Sequence, residues 1–271
     1  MPRIAIIGGT GVYNPERFEL IEKVFPDTPY GKPSDEILIG KINGVEVAFL
    51  PRHGNKHQHP PSSVPYRANI AALRSLGVEM IVSPCAVGSL RDDYKPGDMI
   101  IVDQFVDFTK SRDYTFFHDR TVHIAIPDPF CPQMNNVFDK AAKEMGIPYH
   151  VGGRYVCIEG PRFSTRAESH MFRQFADIIG MTVVPECQLA REMGMCYCSL
   201  ATITDYDAWK EETVDFDMIL KTMSECIDKI CAILEKALPE LAKLPKCSCI
   251  DAAIGAGAIE NDQQKKTAAS R

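Results

Sequence analysis

Short apolar runs that stop at glycine or other small residues, separated by stretches of helical spacing, constrain this 271-residue chain more than any other feature. Ile4–Ile7 ends at Gly8-Gly9-Thr10-Gly11, a buried strand running into a glycine turn. Glu36–Leu50 is predicted as a hairpin with Asn43-Gly44 as its two-residue turn. Tyr66–Leu76 has helical spacing, and Gly77 is placed to close that helix. Met80–Ser83 and Met99–Val106 are further buried strands, and Tyr197–Ile203 is a late one. Helices are predicted over Asn135–Met145, Ala167–Phe175, Pro185–Met193 (Pro185 in its first turn) and the long amphipathic Phe216–Leu238. Strands alternating with helices imply an α/β fold, one domain over residues 1–250 with a central mixed, largely parallel sheet flanked by helices. Residues 251–271 are Ala/Gly-rich and then polar; they can bury little and are expected to form a flexible C-terminal tail.

Composition narrows the function. With 45% hydrophobic and 24% charged residues, the chain has the make-up of an ordinary globular protein. A net charge of −6 argues against nucleic acid as the main partner, because phosphate-backbone binding needs a clustered basic surface. No apolar run reaches the length of a membrane span, and the N-terminus offers no signal peptide, so the expected location is cytoplasmic. Ten cysteines are many for such a protein. They fit either reduced buried thiols or the intracellular disulfides of hyperthermophiles. Cys247 and Cys249 form a C-x-C, but no C-x-x-C or H-x-x-x-H supplies a second ligand pair, so no metal is expected.

Several strand exits carry chemistry-bearing residues. Gly8–Gly11 lets backbone N–H groups approach an anion closely, with the Thr10 hydroxyl as a further donor; a ligand-free tight turn fits equally well. No G-x-G-x-x-G or P-loop lysine follows. Arg52-His53-Gly54 joins a planar guanidinium fork to an imidazole donor, a pairing suited to phosphate but shared with phosphohistidine phosphatases and mutases. Ser83-Pro84-Cys85-Ala86 also leaves a strand into small residues, and ligands of open α/β sheets sit at strand ends. Cys85 has no neighbouring His to activate it and is read as a structural thiol. Phe163, in Glu159–Ser164, could stack on a planar base or fill the core. Asp205 and Asp207, two residues apart at the exit of the late strand, are costly to bury unless they meet donors or hold a proton. They suit a purine N7 and exocyclic amine, or a solvated acidic loop.

Taken together, the ordered segments Ile6–Val12, Asp27–Asp35, Pro51–Gly54 with His57, Gly88–Asp98, Asp128–Pro132, Ile158–Ser169 and Thr204–Glu212 resemble the methylthioadenosine phosphorylase branch of the purine nucleoside phosphorylases. The likeness runs from about Ile4 to Leu238. It implies that Thr10, Arg52, His53, the backbone at Cys85-Ala86 and Thr182 hold phosphate. Met181 would contact the ribose, while Phe163, Ser164, Asp205, Tyr206 and Asp207 would surround the base. His57, Val214, Phe216, Ile219 and a neighbouring subunit's counterpart of His123 would line the 5' end. Relatives that accept 6-oxopurines carry Asn at the position of Asp205, so the acid here implies a 6-aminopurine. Where human-type members have Thr, this chain has Cys85, and Phe216 is bulkier than the Val of strict methylthioadenosine enzymes.

The resemblance further implies phosphorolysis of 5'-methylthioadenosine, with Asp205 and Asp207 as catalytic acids. Inorganic phosphate would be a co-substrate and no cofactor would be needed. It also implies a homotrimer or a dimer of trimers. Disulfides like those of thermophilic archaeal members are implied too, with Cys131–Cys198 as the long-range pair. Two rivals stay open on the residues alone: a phosphatase or mutase using His53 as phosphoryl acceptor, and a non-catalytic nucleoside- or dinucleotide-binding protein.

Overall fold

The glycine-punctuated runs become the central strands of one sheet. The computed structural model describes residues 1–9, 17–211 and 216–260. In chain order it forms β1 (Ile4–Gly8), β2 (Glu19–Val24), β3 (Ile37–Ile42), β4 (Val45–Pro51), α1 (Tyr66–Ser75), β5 (Met80–Ser89), β6 (Met99–Ile101) and β7 (Gln104–Phe108). There follow α2 (Pro132–Met145), β8 (Tyr149–Val151), β9 (Arg154–Ile158), α3 (Arg166–Phe172), β10 (Ile178–Gly180), α4 (Val183–Glu192), β11 (Cys196–Asp205), α5 (Phe216–Lys243) and α6 (Cys249–Gly255). Among the described residues the sheet order is β2-β3-β4-β1-β5-β10-β9-β7, with β11 on the other side of β5 leading to β6 and β8. Pairing is parallel for β1–β4, β1–β5, β5–β11, β6–β8, β7–β9 and β9–β10, and antiparallel for β2–β3, β3–β4, β5–β10 and β6–β11.

Period-2 alternation sorts the strands into two cores. Ala5, Ile7, Ala48, Leu50 and Ile81 face α1 and α4, meeting Ile70, Leu73, Leu189 and Ala190. Ile4, Ile6, Val47, Phe49 and Val82 face the other way, onto Met134 and Phe138 of α2 and Ile233, Leu234 and Leu238 of α5. Helices on both faces bury both sets, which is why these strands are apolar throughout rather than alternating. Burial of each such large side chain is worth about 1.5–3 kcal/mol.

Several elements differ from their sequence expectation. The hairpin turn is as predicted, with Asn43 and Gly44 both at positive φ (48° and 76°), the backbone of a type I′ turn. The expected single strand Met99–Val106 is two: β6 pairs with β11 and β8, β7 with β9. Between them the Asp103 carboxylate accepts from the Gly153 amide (2.9 Å), anchoring the switch of partners. β2 escaped notice because it is an exposed, charge-rich strand at the sheet's margin. The tail does not begin at 251: α6 runs through Gly255 and buries Ala253 completely. Residues 261–271 lie outside the described part.

Candidate active site

β5 is the strand on which the site is built. β11 grips it along nearly its whole length, from Met80 to Gly88. On the opposite edge β1 pairs only at Met80–Val82 and β10 only at Gly88–Ser89. Between them Ser83–Val87 has no partner strand on that edge among the described residues, and the sheet forks there. Fork points of this kind are where α/β sheets bind ligands.

The direction of each β5 peptide follows from its partners. The Ser83 carbonyl accepts from Ser199 Oγ (3.0 Å) and the Val87 carbonyl from Thr204 Oγ1 (3.2 Å), so odd residues address β11. The Pro84 carbonyl accepts from Arg52 Nη1 (3.4 Å) on the forked edge. N–H and C=O of one strand residue point the same way, and successive residues alternate. Pro84, lacking an N–H, is therefore tolerated in a central strand, because its missing donor falls on the open edge. By the same alternation Ala86 presents its amide there and Cys85 does not. The expected Cys85-Ala86 backbone pair thus reduces to the Ala86 amide. Burial pushes the Cys85 thiol up, so it stays protonated.

Arg52 leaves β4 at the mouth of the fork, its amide donating to the Gly8 carbonyl (2.9 Å). Its side chain is buried, and its fork is already engaged: Nε and Nη2 donate to the two Glu186 carboxylate oxygens at 2.8 and 3.0 Å. Nη2 also donates to Ser83 Oγ (2.6 Å) and the Ile7 carbonyl (2.8 Å). The bidentate grip expected on phosphate is therefore taken by Glu186, and Nη1 is the nitrogen left facing the open edge. Burial would drive the proton from this guanidinium, but the Glu186 charge outweighs it and raises the pKa. Ser83 and Tyr197 hydroxyls complete the Glu186 shell (2.9 and 2.8 Å).

His53 follows at once. Its Nδ1 is 2.8 Å from the His59 carbonyl, a geometry that fixes the proton on Nδ1 and leaves Nε2 as an acceptor. Burial and the Arg52 charge lower its pKa to about 4, so the ring is neutral near pH 7. The imidazole donor expected for phosphate is thus spent on the backbone. His57, exposed and at φ 54°, stacks on it with centroids 4.8 Å apart.

At the far end of β5 stand the two acids. Asp205 and Asp207 are only 7% and 5% exposed. Asp205 Oδ2 accepts from Thr204 Oγ1 (2.7 Å) and Oδ1 from the Asp207 amide (2.7 Å). Among the described residues, Asp207 Oδ2 is buried with no hydrogen-bond partner, as are the hydroxyls of Ser164 and Thr182. Burial raises both carboxyl pKa values, and the charge of Asp207 adds to the effect on Asp205. Gly88 lies against them: a Cβ there would come within 3.0 Å of Asp205 Oδ1 and 3.2 Å of Asp207 Cβ.

The remaining predicted residues fall around this line. Met181 and Thr182 form the turn from β10 into α4, and the Met181 side chain packs over Gly160, which sits at φ 65°. Phe163, 41% exposed, and Ser164 precede the capped start of α3, where Thr165 and Glu168 bond reciprocally to each other's backbone. Tyr206 joins β11 to a 3-10 turn at Asp207–Trp209 and meets Trp209 edge-on at 5.8 Å. His123 is exposed on the long connection between β7 and α2. Thr10, Val214 and the side chains of Phe216 and Ile219 lie outside the described residues.

Two organising residues were missed from sequence. One is Glu186 in α4, a helix that also carries Gln188, Arg191 and Glu192, so nothing local singles it out. The other is Arg112, whose guanidinium donates to the carbonyls of Met181 (2.8 Å), Ile158 (3.2 Å) and Glu159 (2.7 Å), tying the two loops that carry Met181 and Phe163. The expected Cys131–Cys198 pair is also not formed: none of the ten cysteines is in a disulfide. Cys131 gathers instead with Cys196, Cys247 and Cys249. Cys196 lies two residues before Cys198, on the same face of β11.

The fork in the sheet, the Arg52–Glu186 pair beside it and the two buried acids at its end thus lie along one strand. The chain belongs to the Phosphorylase superfamily, whose sequence profile matches residues 3–239. More particularly, it is 58% identical to the S-methyl-5'-thioadenosine phosphorylase of Thermococcus kodakarensis, over 93% of this chain and 97% of that protein. It is 56% identical to that of Pyrococcus furiosus over the same shares. Among solved structures, a methylthioadenosine phosphorylase from an antarctic soil metagenomic library superposes with a TM-score of 0.89 at 44% identity, covering 99% of this chain and 98% of that one. A mutant adenosine/methylthioadenosine phosphorylase from Schistosoma mansoni in complex with methylthioadenosine gives 0.89 at 35% identity, covering 94% and 98%.

Proposed function

We propose that this chain is a pentosyltransferase that cleaves 5'-methylthioadenosine with inorganic phosphate, giving adenine and 5-methylthioribose 1-phosphate for purine and methionine salvage. The observation that carries the reading is the arrangement along β5: anion donors at the middle of its open edge and two buried acids at its end. Likeness to relatives named for this activity, at 56–58% identity, supports it.

Adenine is a poor leaving group until its N7 is protonated or strongly hydrogen-bonded. Acids whose burial raises their pKa suit that purpose. Asp205 is oriented by Thr204 and the Asp207 amide, while Asp207 offers a buried oxygen with no partner among the described residues. In this reading the two act together on N7 and the 6-amino group, with Ser164, Phe163 and Tyr206 around the base and Met181 at the ribose. Arg52 Nη1, the Ala86 amide, Thr182 and Thr10 hold phosphate on the opposite ribose face. There it stabilises the developing oxocarbenium ion and captures C1' with inversion. Nε2 of His53, an acceptor, suits the hydroxyl of a monohydrogen phosphate. Neither a metal nor an organic cofactor takes part in these steps. His57, Val214, Phe216, Ile219 and the neighbouring subunit's copy of His123 line the 5' end. The assembly is a homotrimer or a dimer of trimers, and the enzyme works in the cytoplasm.

Adenine release from methylthioadenosine, followed with and without inorganic phosphate, tests the whole scheme. Release should require phosphate and yield a sugar 1-phosphate. Phosphate-independent release would make the chain a hydrolase, and label from a phosphate ester on His53 would make it a phosphatase or mutase.

A further inference from the structure

The chain carries a second cluster of chemistry-bearing side chains, none of them a residue of the proposed active site. The sulfurs of Cys131, Cys196, Cys247 and Cys249 all lie within 4.8 Å of one another. Cys247 is 3.4 Å from Cys249 and 3.6 Å from Cys131. A tetrahedral zinc with Zn–S bonds of about 2.3 Å places its sulfurs roughly 3.8 Å apart, so this spacing is that of a tetrathiolate shell. A disulfide would need about 2.05 Å.

We propose that these four thiols form a structural site for one zinc ion. The C-x-C supplies one ligand pair; the fold supplies the other, which no local spacing could reveal because its members stand 65 residues apart in the chain. Each ligand sits on anchored backbone. The Cys131 amide donates to the Tyr197 carbonyl (2.7 Å), tying the start of α2 to β11, and the Cys196 amide donates to the Glu79 carbonyl (2.8 Å). Cys249 opens α6, and the Cys247 and Ser248 carbonyls accept from Ile250 and Asp251 (3.5 and 2.9 Å). Four soft sulfurs in tetrahedral array select zinc over hard cations, and four protein ligands leave no position open for catalysis.

A cavity of about 560 Å³ borders the cluster, lined among others by Arg3, Arg74 and Lys246. It gives the ion a way in; Glu79 and Glu260 line it beside those cations. Binding releases one proton for each thiol still protonated, up to four, and involves no change of oxidation state. The ion clips the segment after α5 onto the sheet, so its role is independent of the catalytic reading above.

Cobalt(II) is the probe. The full-length chain, reduced and kept anaerobic, should bind one cobalt per chain with tetrahedral ligand-field bands and sulfur-to-cobalt charge transfer, and zinc should displace it. Cys131→Ser, Cys196→Ser, Cys247→Ser and Cys249→Ser should each weaken binding ten-fold or more, while Cys198→Ser should leave it unchanged. Zinc should raise Tm, and a chelator should reverse the rise. Absence of charge transfer in the reduced wild-type chain would overturn the proposal. So would anaerobic alkylation and mass spectrometry that find the four cysteines joined as disulfides.

Discussion

Asp205 and Asp207 illustrate how far single residues could be read ahead of the fold. Their spacing marked them as a pair that is expensive to bury; the structure buries both and raises both pKa values. Between the ordinary aspartate value and these raised ones, the folded chain holds more protons than the unfolded chain, so this contribution to stability falls as pH rises through that window. In the proposed reaction the same raised affinity for a proton would serve catalysis. We expect kcat to decline on the alkaline side, and Asp205→Asn to lower kcat on methylthioadenosine by roughly 10²–10⁴. A pH–rate profile on Asp205→Asn, Asp207→Asn and the double variant checks this; near-normal kcat in both single variants would remove the acids from the chemistry. Arg52 was legible as an anion ligand, but its partner was not, since Glu186 lies 134 residues away. Arg52→Ala should raise the phosphate KM ten-fold or more, from the loss of a charge-assisted bond of about 1.5–3 kcal/mol. It should also lower stability by about 3–5 kcal/mol, because Glu186 is left buried and unpaired. Phosphate titration and thermal melts separate the two, and an unchanged phosphate KM would leave Arg52 a purely structural residue.

At the scale of elements, the strands that were legible are those buried on both faces, such as β1, β4 and β5, because burial writes itself as an unbroken apolar run. Three-residue strands such as β8 and β10 carry no periodicity of their own; neighbours that the sheet supplies define them. The Met99–Val106 run was seen as one strand because nothing local records a change of partner at Asp103. The proposed phosphate end was visible as the glycines after β1, Arg52-His53 after β4 and small residues on β5, but the fork that gives those residues meaning is a property of pairing. Gly88 belongs at this scale, since it lets β10, β5 and the end of β11 close onto each other. Gly88→Ala should push a Cβ against Asp205 Oδ1, Asp207 Cβ and Ile179 Cγ2 (3.1 Å), displacing the acids by tenths of an ångström. Misplacement near 1 Å can cost about 10² in rate, so a loss of roughly ten-fold in kcat is expected with Tm little changed. Equal losses in kcat and in Tm would instead mean that the local fold, not the positioning of the acids, had failed.

For the whole molecule, exposed Leu20 and Ile21 on β2, exposed Val151 and an exposed His123 fit a chain that works as an assembly. Light scattering should find a trimer or hexamer, and closed symmetry would give every copy an equivalent site. His123→Ala should then impair methylthioadenosine turnover more than it impairs folding; an active monomer at assay concentration would defeat this. The one-sided grip on β5 has a further consequence, for the timescale on which the site breathes. An amide locked in a ladder exchanges its hydrogen only when the sheet opens, which for a central strand approaches global unfolding. Ala86 sits in the middle of such a strand, yet its amide faces the edge that neither β1 nor β10 covers. In the free enzyme it should exchange with deuterium far faster than Val82 or Gly88 on the same strand. Saturating phosphate should slow it selectively, which would make one hydrogen atom a reporter of occupancy. Equal protection at Ala86 and Val82 in the phosphate-free chain would mean that the fork is closed in solution.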